Sequence, residues 1–534
     1  MDKIKEIELK NQRINEQYKK MNLIEIVQDN ESANTMSTAI IENSFVVFGD
    51  ESEFEIPKEY RRLLEQRILK RITDYIYRPA DTDSDGLPLC IKQSGDYIFI
   101  GLSQGIIRVF EFSTNTELNS LIPKKRKPFT NKVVCMDISL SGNQLVAGYE
   151  SGKICLYDIF KQKVLIDIDE VFTKKVDAVK FLSSLSANYI VASDKRGYIS
   201  RISLKRGVIK STYKAERIMD RPILDICTIA ALQPREGMPY EVIEWEALNL
   251  TAISNTEQVS IYSLWNPMGP IYGVHRKEFG KEFVRSGSIC YLDWGYGVTP
   301  NISREKSMWL LAIGWDKVLQ ICILVDPYKG ISGIKHDGYY VCDSPIDSVK
   351  FISDSVLMIL TNQKEVRILF IPNFSPGYFA NEGIAIKETE DSKTTKYEKS
   401  SLRKYQSSLG EDLLREFSLK AEVESGNNLL DGNIKSYETA NKQNFNCSIT
   451  ACDNNILVLG QYEILLATLY HWEDYLQYIQ HKCGWLVCLK TALDIYNGDL
   501  KGYYGVPYIA DAREQELIHK LKALVNEGIR NMIK

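Results

Sequence analysis

The 534-residue chain has no excess of either charge: 66 lysines and arginines stand against 70 aspartates and glutamates, a formal net charge of −4. That balance excludes a coat of fixed positive charge for nucleic acid. No apolar run approaches the ~18 residues needed to span a bilayer. The best candidate, Ile456 to Leu469, is broken by Gln461 and Glu463. The opening MDKIKEIELK is charged from its second residue, unlike a secretory signal. Walker A, H-E-x-x-H and G-x-G-x-x-G sequences are all missing. The eleven cysteines are odd in number and scattered, which fits reduced thiols in the cytosol better than a disulfide framework. Wholesale disorder is excluded too, because hydrophobic residues make up 44% of the chain and charged residues 25%.

What the sequence does have is a repeat. An apolar triplet, a polar turn and an apolar alternating run recur as IFIGLSQGIIRVFEF from Ile98, LVAGYESGKICLYDI from Leu145 and IVASDKRGYISRISL from Ile190. The pattern returns as LTAISNTEQVSIYSL from Leu250, LLAIGWDKVLQICIL from Leu310, LMILTNQKEVRILFI from Leu357 and, shortened, ILVLGQYEILLATL from Ile456. The tenth place holds Ile107, Ile154, Ile199, Val259, Leu319, Val366 and Leu465. Alternation around it has period two, the mark of strands. Gly105, Gly152 and Gly197 occupy the turn in the first three copies, whereas Glu257, Lys317 and Lys364 stand there later and demand another turn geometry.

A shorter strand precedes most copies: VVCMDISL at Val133, VDAVKFL at Val176, ILDICTI at Ile223, SICYLDW at Ser288 and IDSVKFI at Ile346. Early copies begin about 45 residues apart, the spacing of a WD-type blade. Phe110-Glu111 and Tyr157-Asp158 stand where such blades carry Trp-Asp. A sandwich is the alternative architecture, but sandwiches do not repeat one motif at a fixed period. The expected fold is therefore mainly β: a seven-bladed WD-type β-propeller followed by the start of an α-helical solenoid.

The expected domains follow. Residues 1–84 form a mobile N-terminal segment with an amphipathic helix near 58–78, striped by Leu64, Ile68, Ile72 and Ile76. Residues 85–470 form the propeller, with a long polar insertion near 374–446, disordered over about 380–410; LLREFSLKAEVE at Leu413 is a candidate outer strand. Residues 471–534 form helical hairpins, a truncated solenoid start. Two helices break near Gly484, and a third carries Ile518, Leu521, Val525, Ile529 and Met532 at spacings of three and four.

LDWGYGVTP from Leu292, followed by LLAIGWDKVLQI from Leu310, resembles the fifth-blade signature of the vacuolar protein sorting subunit eight family, the endosome-specific subunits of the CORVET tethering complex. LYHWEDYLQYIQ at Leu469 and CLKTALDIYNGDLKGYYGVP at Cys488 resemble that family's junction between propeller and solenoid. The resemblance covers about residues 85–510. The sequence ends at Lys534, so the family's long solenoid and C-terminal RING zinc domain are expected to be absent. The resemblance implies a non-enzymatic tether and scaffold, cytoplasmic and peripheral on endosomal membranes. Its implied partners are a GTP-loaded early-endosomal Rab and the other CORVET or HOPS core subunits, with no nucleic acid, cofactor or small-molecule substrate. The sister subunit of the HOPS tether shares this plan, and a WD-type ubiquitin-ligase adaptor is the reading from another class.

Several motifs have chemical look-alikes. Gly101-Leu102-Ser103-Gln104-Gly105 matches the G-x-S-x-G nucleophile elbow, but an elbow leads into a helix and this turn leads into a strand. Cys447 with Cys452, and Cys483 with Cys488, are C-x₄-C pairs with His471 and His481 nearby, yet zinc wants four converging ligands. Buried thiols are the plainer expectation, so no catalytic, cofactor or metal residue is assigned. For a partner interface the candidates are Lys124, Lys125, Arg126 and Lys127, a basic run suited to acidic lipid or an acidic protein face, and Ile518, Leu521, Val525 and Ile529 for helix docking.

Overall fold

The computed structural model describes residues 64–77, 86–123, 131–220, 225–228, 249–297, 308–324, 334–370, 384–387, 396–399, 449–497, 505–506 and 517–526, apart from short loop gaps within these ranges. The chain divides into two compact units, one of Leu63–Leu469 and one that includes Tyr470–Lys534.

The larger unit opens with strand β1 (Leu64–Ile68) and a short helix α1 (Lys70–Ile76). Blade one is β2 (Pro88–Ser94), β3 (Tyr97–Leu102), β4 (Ile107–Glu111) and β5 (Thr116–Leu121). Blade two is β6 (Val133–Ile138), β7 (Gln144–Tyr149), β8 (Ile154–Asp158) and β9 (Lys163–Ile168). Blade three is β10 (Val176–Phe181), β11 (Tyr189–Asp194), β12 (Tyr198–Lys205) and β13 (Thr212–Asp220). Blade four is β14 (Asp225–Thr228), β15 (Leu250–Ser254), β16 (Gln258–Ser263) and β17 (Gly269–His275). Blade five is β18 (Cys290–Gly297), β19 (Met308–Trp315), β20 (Val318–Leu324) and β21 (Ile334–Val341). Blade six shows β22 (Ile346–Ser353), β23 (Val356–Thr361) and β24 (Val366–Phe370). Strands β25 (Ile384–Lys387) and β26 (Lys396–Lys399) pair with each other inside the long insertion. Blade seven is β27 (Ile449–Cys452), β28 (Asn455–Leu459) and β29 (Ile464–Leu469), completed by β1.

Each blade is an antiparallel meander, and the first strand of each touches the first strand of the next: β2, β6, β10, β14, β18, β22, β27 and back to β2. The larger unit is a closed seven-bladed propeller whose innermost strands line its centre. The cores lie between blades. Ile154, Leu156 and Val176, for example, share one apolar cluster across blades two and three.

The helix near 58–78 is two elements among its described residues: Leu64–Ile68 is strand, and only Lys70–Ile76 is helix. Residue pairs from Leu64↔Leu469 to Ile68↔Leu465 place β1 on β29, so the propeller begins at β1 and not at residue 85. Backbone pairing to the last blade outweighs the local i, i+4 pattern. Its stripe is broken: Ile72 is fully buried while Ile68 is 49% exposed. The disorder expected over about 380–410 is interrupted by the β25–β26 ribbon, and LLREFSLKAEVE at Leu413 lies outside the described residues. Two of the later turns solve their geometry without glycine, and Lys364 lies outside the described residues. Asn255 Oδ1 accepts the amides of Glu257 and Gln258, and Asp316 takes φ +51° itself.

In the second unit, α2 (Trp472–Cys483) and α3 (Trp485–Asn497) meet at Gly484. His471 caps α2, Glu473 and Asp474 lie in its first turn, and His481 and Lys482 in its last, matching the helix dipole at both ends. A further helical stretch, 517–524, is tied to this hairpin by Trp485 Nε1–H donating to Leu524 O at 2.6 Å and by Lys520 near Glu473 at 3.8 Å.

Candidate functional site

Polar residues interrupt the apolar innermost strands at one recurring place. The innermost strands of blades one to six each carry one such residue: Lys92, Asp137, Lys180, Cys227, Asp293 and Lys350. The structure brings them together. Lys92 Nζ lies 3.2 Å and Lys180 Nζ 3.8 Å from the same oxygen, Asp137 Oδ1. Lys350 Nζ is 3.3 Å from Asp293 Oδ1, which also accepts from the Cys227 thiol at 3.6 Å. The carboxylates' second oxygens reach the following blade: Asp137 Oδ2 accepts Phe181 N–H at 3.0 Å, and Asp293 Oδ2 accepts Phe351 N–H at 2.8 Å. Asp225, two residues before Cys227, does the same with Leu292 N–H at 3.0 Å.

The titration of these groups follows from crowding near the axis. Burial raises the Asp137 carboxyl, but Lys180 and then Lys92 overcome it, so the group is held below its ordinary range. Lys92 is lowered, chiefly by the charge of Lys180 across the shared oxygen and then by burial. The two partners of the 3.2 Å contact thus shift in a way that makes Lys180, whose own pKa is raised, the stronger counterion despite its longer distance. Burial and the charge of Lys180 lower Lys350, and Asp293 outweighs them, so its pKa is raised. Burial dominates at Asp225 and pushes its carboxyl up. The Cys227 thiol is pushed up to about 12 by burial and by Asp293. A thiol so shifted is no nucleophile near neutral pH. Chemically, the ring is a set of inter-blade staples with ionised ends. It links neighbouring blades through their innermost strands.

One rim has a recurring device. The turn after the second strand of a blade donates a backbone N–H to the residue just before the innermost strand: Ser103 to Leu87 O (2.8 Å), Glu150 to Lys132 O (3.0 Å), Lys195 to Lys175 O (2.9 Å) and Asn362 to Pro345 O (2.8 Å). The G-x-S-x-G look-alike belongs to this device. Ser103 Oγ accepts Leu87 N–H at 2.9 Å. A Cβ on Gly101 would meet Cys90 Sγ at 2.5 Å and Val133 Cγ1 at 2.7 Å, and one on Gly148 would meet Cys135 Sγ and Val176 Cγ1 at 2.6 Å. The first glycine of the motif therefore serves blade packing.

The other sequence candidates fall as follows. Lys124, Lys125, Arg126 and Lys127 lie outside the described residues, as does Cys447. Cys452 and Cys483 are half-buried, and Cys488 is buried with its thiol donating to Leu476 O at 3.2 Å. Among the described residues no three His, Cys, Asp or Glu side chains converge as metal ligands, and no helix is long and apolar enough to cross a membrane. Leu521 is buried, but its buried companions are Leu517 and Leu524; Ile518 is only half-buried, and Val525 and Ile529 lie outside the described residues. The stripe is thus set one residue earlier than the expected one on either side of Leu521.

The sequence matches a family model described as the Vps8 beta-propeller over residues 62–468. "Vacuolar protein sorting-associated protein 8" of Saccharomyces cerevisiae is 23% identical over 164 residues, 25% of this chain and 12% of the yeast protein. The match therefore spans a small part of that relative's length. Among solved structures, the Cps50 (Swd1) β-propeller domain of Myceliophteria thermophila is 11% identical with a TM-score of 0.42, covering 72% of this chain and 96% of that one. A chain of the Mitotic Checkpoint Complex is 12% identical with a TM-score of 0.36, covering 52% and 72%.

Proposed function

The chain belongs to the Vps8 beta-propeller family, and on that premise we propose that it is a non-enzymatic tether subunit: a Rab effector and scaffold in endosomal fusion and endosome-to-vacuole or endosome-to-lysosome transport. The observation that carries this reading is the coincidence of the family match, residues 62–468, with the closed ring, residues 63–469. The family's propeller is present from closure strand to last blade. A stapled ring with exposed turns suits a scaffold, because it offers recognition loops on a frame that does not deform. The proposed partners are a GTP-loaded early-endosomal Rab and the CORVET core subunits, and the proposed location is the cytoplasmic surface of endosomes. The scaffold reading is supported by the engagement of the channel's ionisable groups with one another, which leaves the thiol there inert.

Purification of the tagged full chain from its own cells, followed by identification of its partners, tests the proposal. Tether core subunits together with an endosomal Rab are the expected companions. Ubiquitin-ligase subunits without either would contradict it.

A further inference from the structure

On the rim that carries the recurring backbone device, the corner formed by blades two and three holds a group of cations. The connection from β9 to β10 carries Lys174 and Lys175, and the turn from β11 to β12 carries Lys195 and Arg196. Lys195 N–H donates to Lys175 O at 2.9 Å and joins the two loops. Phe172, 4% exposed, anchors the connection from beneath. Gly152 lets the neighbouring turn approach: its φ is +91°, and a Cβ there would meet Phe172 O at 2.5 Å and Lys174 O at 2.8 Å. The corner is therefore pre-ordered, and binding there costs little further ordering.

Its charge is lopsided. Lys174, Lys195 and Arg196 are exposed, and among the described residues none of them makes an ion pair. Asp194, Asp169 and Glu150 are engaged by other groups, whereas Asp177 faces Lys175 and Lys195 and Glu170 is exposed. Asp177 lies partly buried beside Lys175 and Lys195. Asp194 is 1% exposed, with one oxygen holding the amides of Arg196 and Tyr198. Asp169 pairs with Lys153 at 3.6 Å, and Glu170 lies near Tyr213 on the outer strand. Glu150 pairs with Lys132 at 3.4 Å.

We propose that this corner is an electrostatic docking surface for anionic phospholipid headgroups. A protein partner would want an apolar anchor at the centre of its interface. None is offered here: the exposed large apolar side chains among the described residues, Ile68, Leu118, Phe160, Met268 and Ile289, lie on other segments. A layer of anionic headgroups needs no such anchor, only cations held near its surface. The inference deepens the membrane part of the proposed function and is independent of the Rab, so either can fail alone.

The test is co-sedimentation of the full chain with phosphatidylcholine vesicles, with and without phosphatidylserine. Binding is expected only with phosphatidylserine, and it weakens as salt is raised. The variant Lys174→Glu/Lys195→Glu/Arg196→Glu is expected to lose about a hundredfold in partitioning. The variant Lys161→Glu/Lys163→Glu/Lys205→Glu, equal in charge change and placed on other exposed segments, is expected to lose far less. All substitutions are at exposed positions, and a thermal melt checks that each variant folds. Equal loss in both variants, or none in the first, overturns the proposal. So does displacement by inorganic phosphate well beyond that by chloride at equal ionic strength, which marks a discrete phosphate site, or tighter binding to polyglutamate than to the vesicles, which marks an acidic-protein site.

Discussion

Asp137 is the residue on which two lysines and a neighbouring blade depend, since one oxygen faces Lys92 and Lys180 and the other holds Phe181 N–H. Asp137→Ala leaves two half-buried ammoniums and an amide without their shared partner, and it is expected to cost about 1–3 kcal/mol. Replacing the whole set as Lys92→Met/Asp137→Leu/Lys180→Met should cost much less, because no charge is left unpaired. Urea unfolding of the two variants decides this: equal losses would mean that the charges are not coupled. The pH dependence has a definite sign. Asp137 is depressed in the folded state, so its contribution is complete above its ordinary value of 3.8 and disappears as pH falls through the lower folded value. Asp225 is raised by burial, so it costs stability at neutral pH, and that cost is relieved on acidification. The acid limb of the unfolding profile should therefore flatten in Asp137→Asn and not in Asp225→Asn.

At the scale of elements, the joint between the first and last blades is the point of closure. β1 supplies the outer strand of blade seven, Leu69 N–H donates to Ile464 O at 2.9 Å, and Thr73 Oγ1 accepts Ile464 N–H at 3.1 Å. Ile72 is fully buried in a cluster with Ile98 and Phe110 of blade one and Leu457 and Ile464 of blade seven. Ile72→Ala is expected to cost about 2–5 kcal/mol. Deleting residues 1–69 should lower the melting temperature and promote association through the bared edge of β29. A melt and a sizing column that show an unchanged monomer would refute closure by β1. In the helical unit, Leu521 is 5% exposed on the stretch that meets α3. Leu521→Asp should free 517–524, read as hydrogen exchange near the free-peptide rate there while α2 stays protected. The blade hairpins were legible in the sequence because period-two alternation and turn chemistry are local. β1 was not, because its partner β29 lies some 400 residues away, and Leu64, Ile68, Ile72 and Ile76 also fit a helix. The shift from Ile518 to Leu517 reflects apolar residues on both sides of a short stripe, where packing and not periodicity chooses the buried face.

For the whole molecule, the number of blades was readable from repetition, while the channel ring was not. Lys92, Asp137, Lys180 and Lys350 sit at one position of the short strands and Asp293 is one residue off it, a signal visible only when polar exceptions are compared between copies. Read singly, each is an ordinary polar residue in an apolar strand. The rim loops left no such signal, because loops carry no period. We propose that the propeller reads the nucleotide state of an endosomal Rab. A Rab's switch loops rearrange when the γ-phosphate is lost. A hundredfold preference needs roughly 2.7 kcal/mol of differential contact, within the range of one or two interface anchors. The direct measurement is titration of the full chain, β1 included, against a Rab panel loaded with a GTP analogue or with GDP. An endosomal Rab is predicted to bind about a hundredfold more tightly in its GTP form; equal affinity for both forms, or no binding by any endosomal Rab, would contradict the claim.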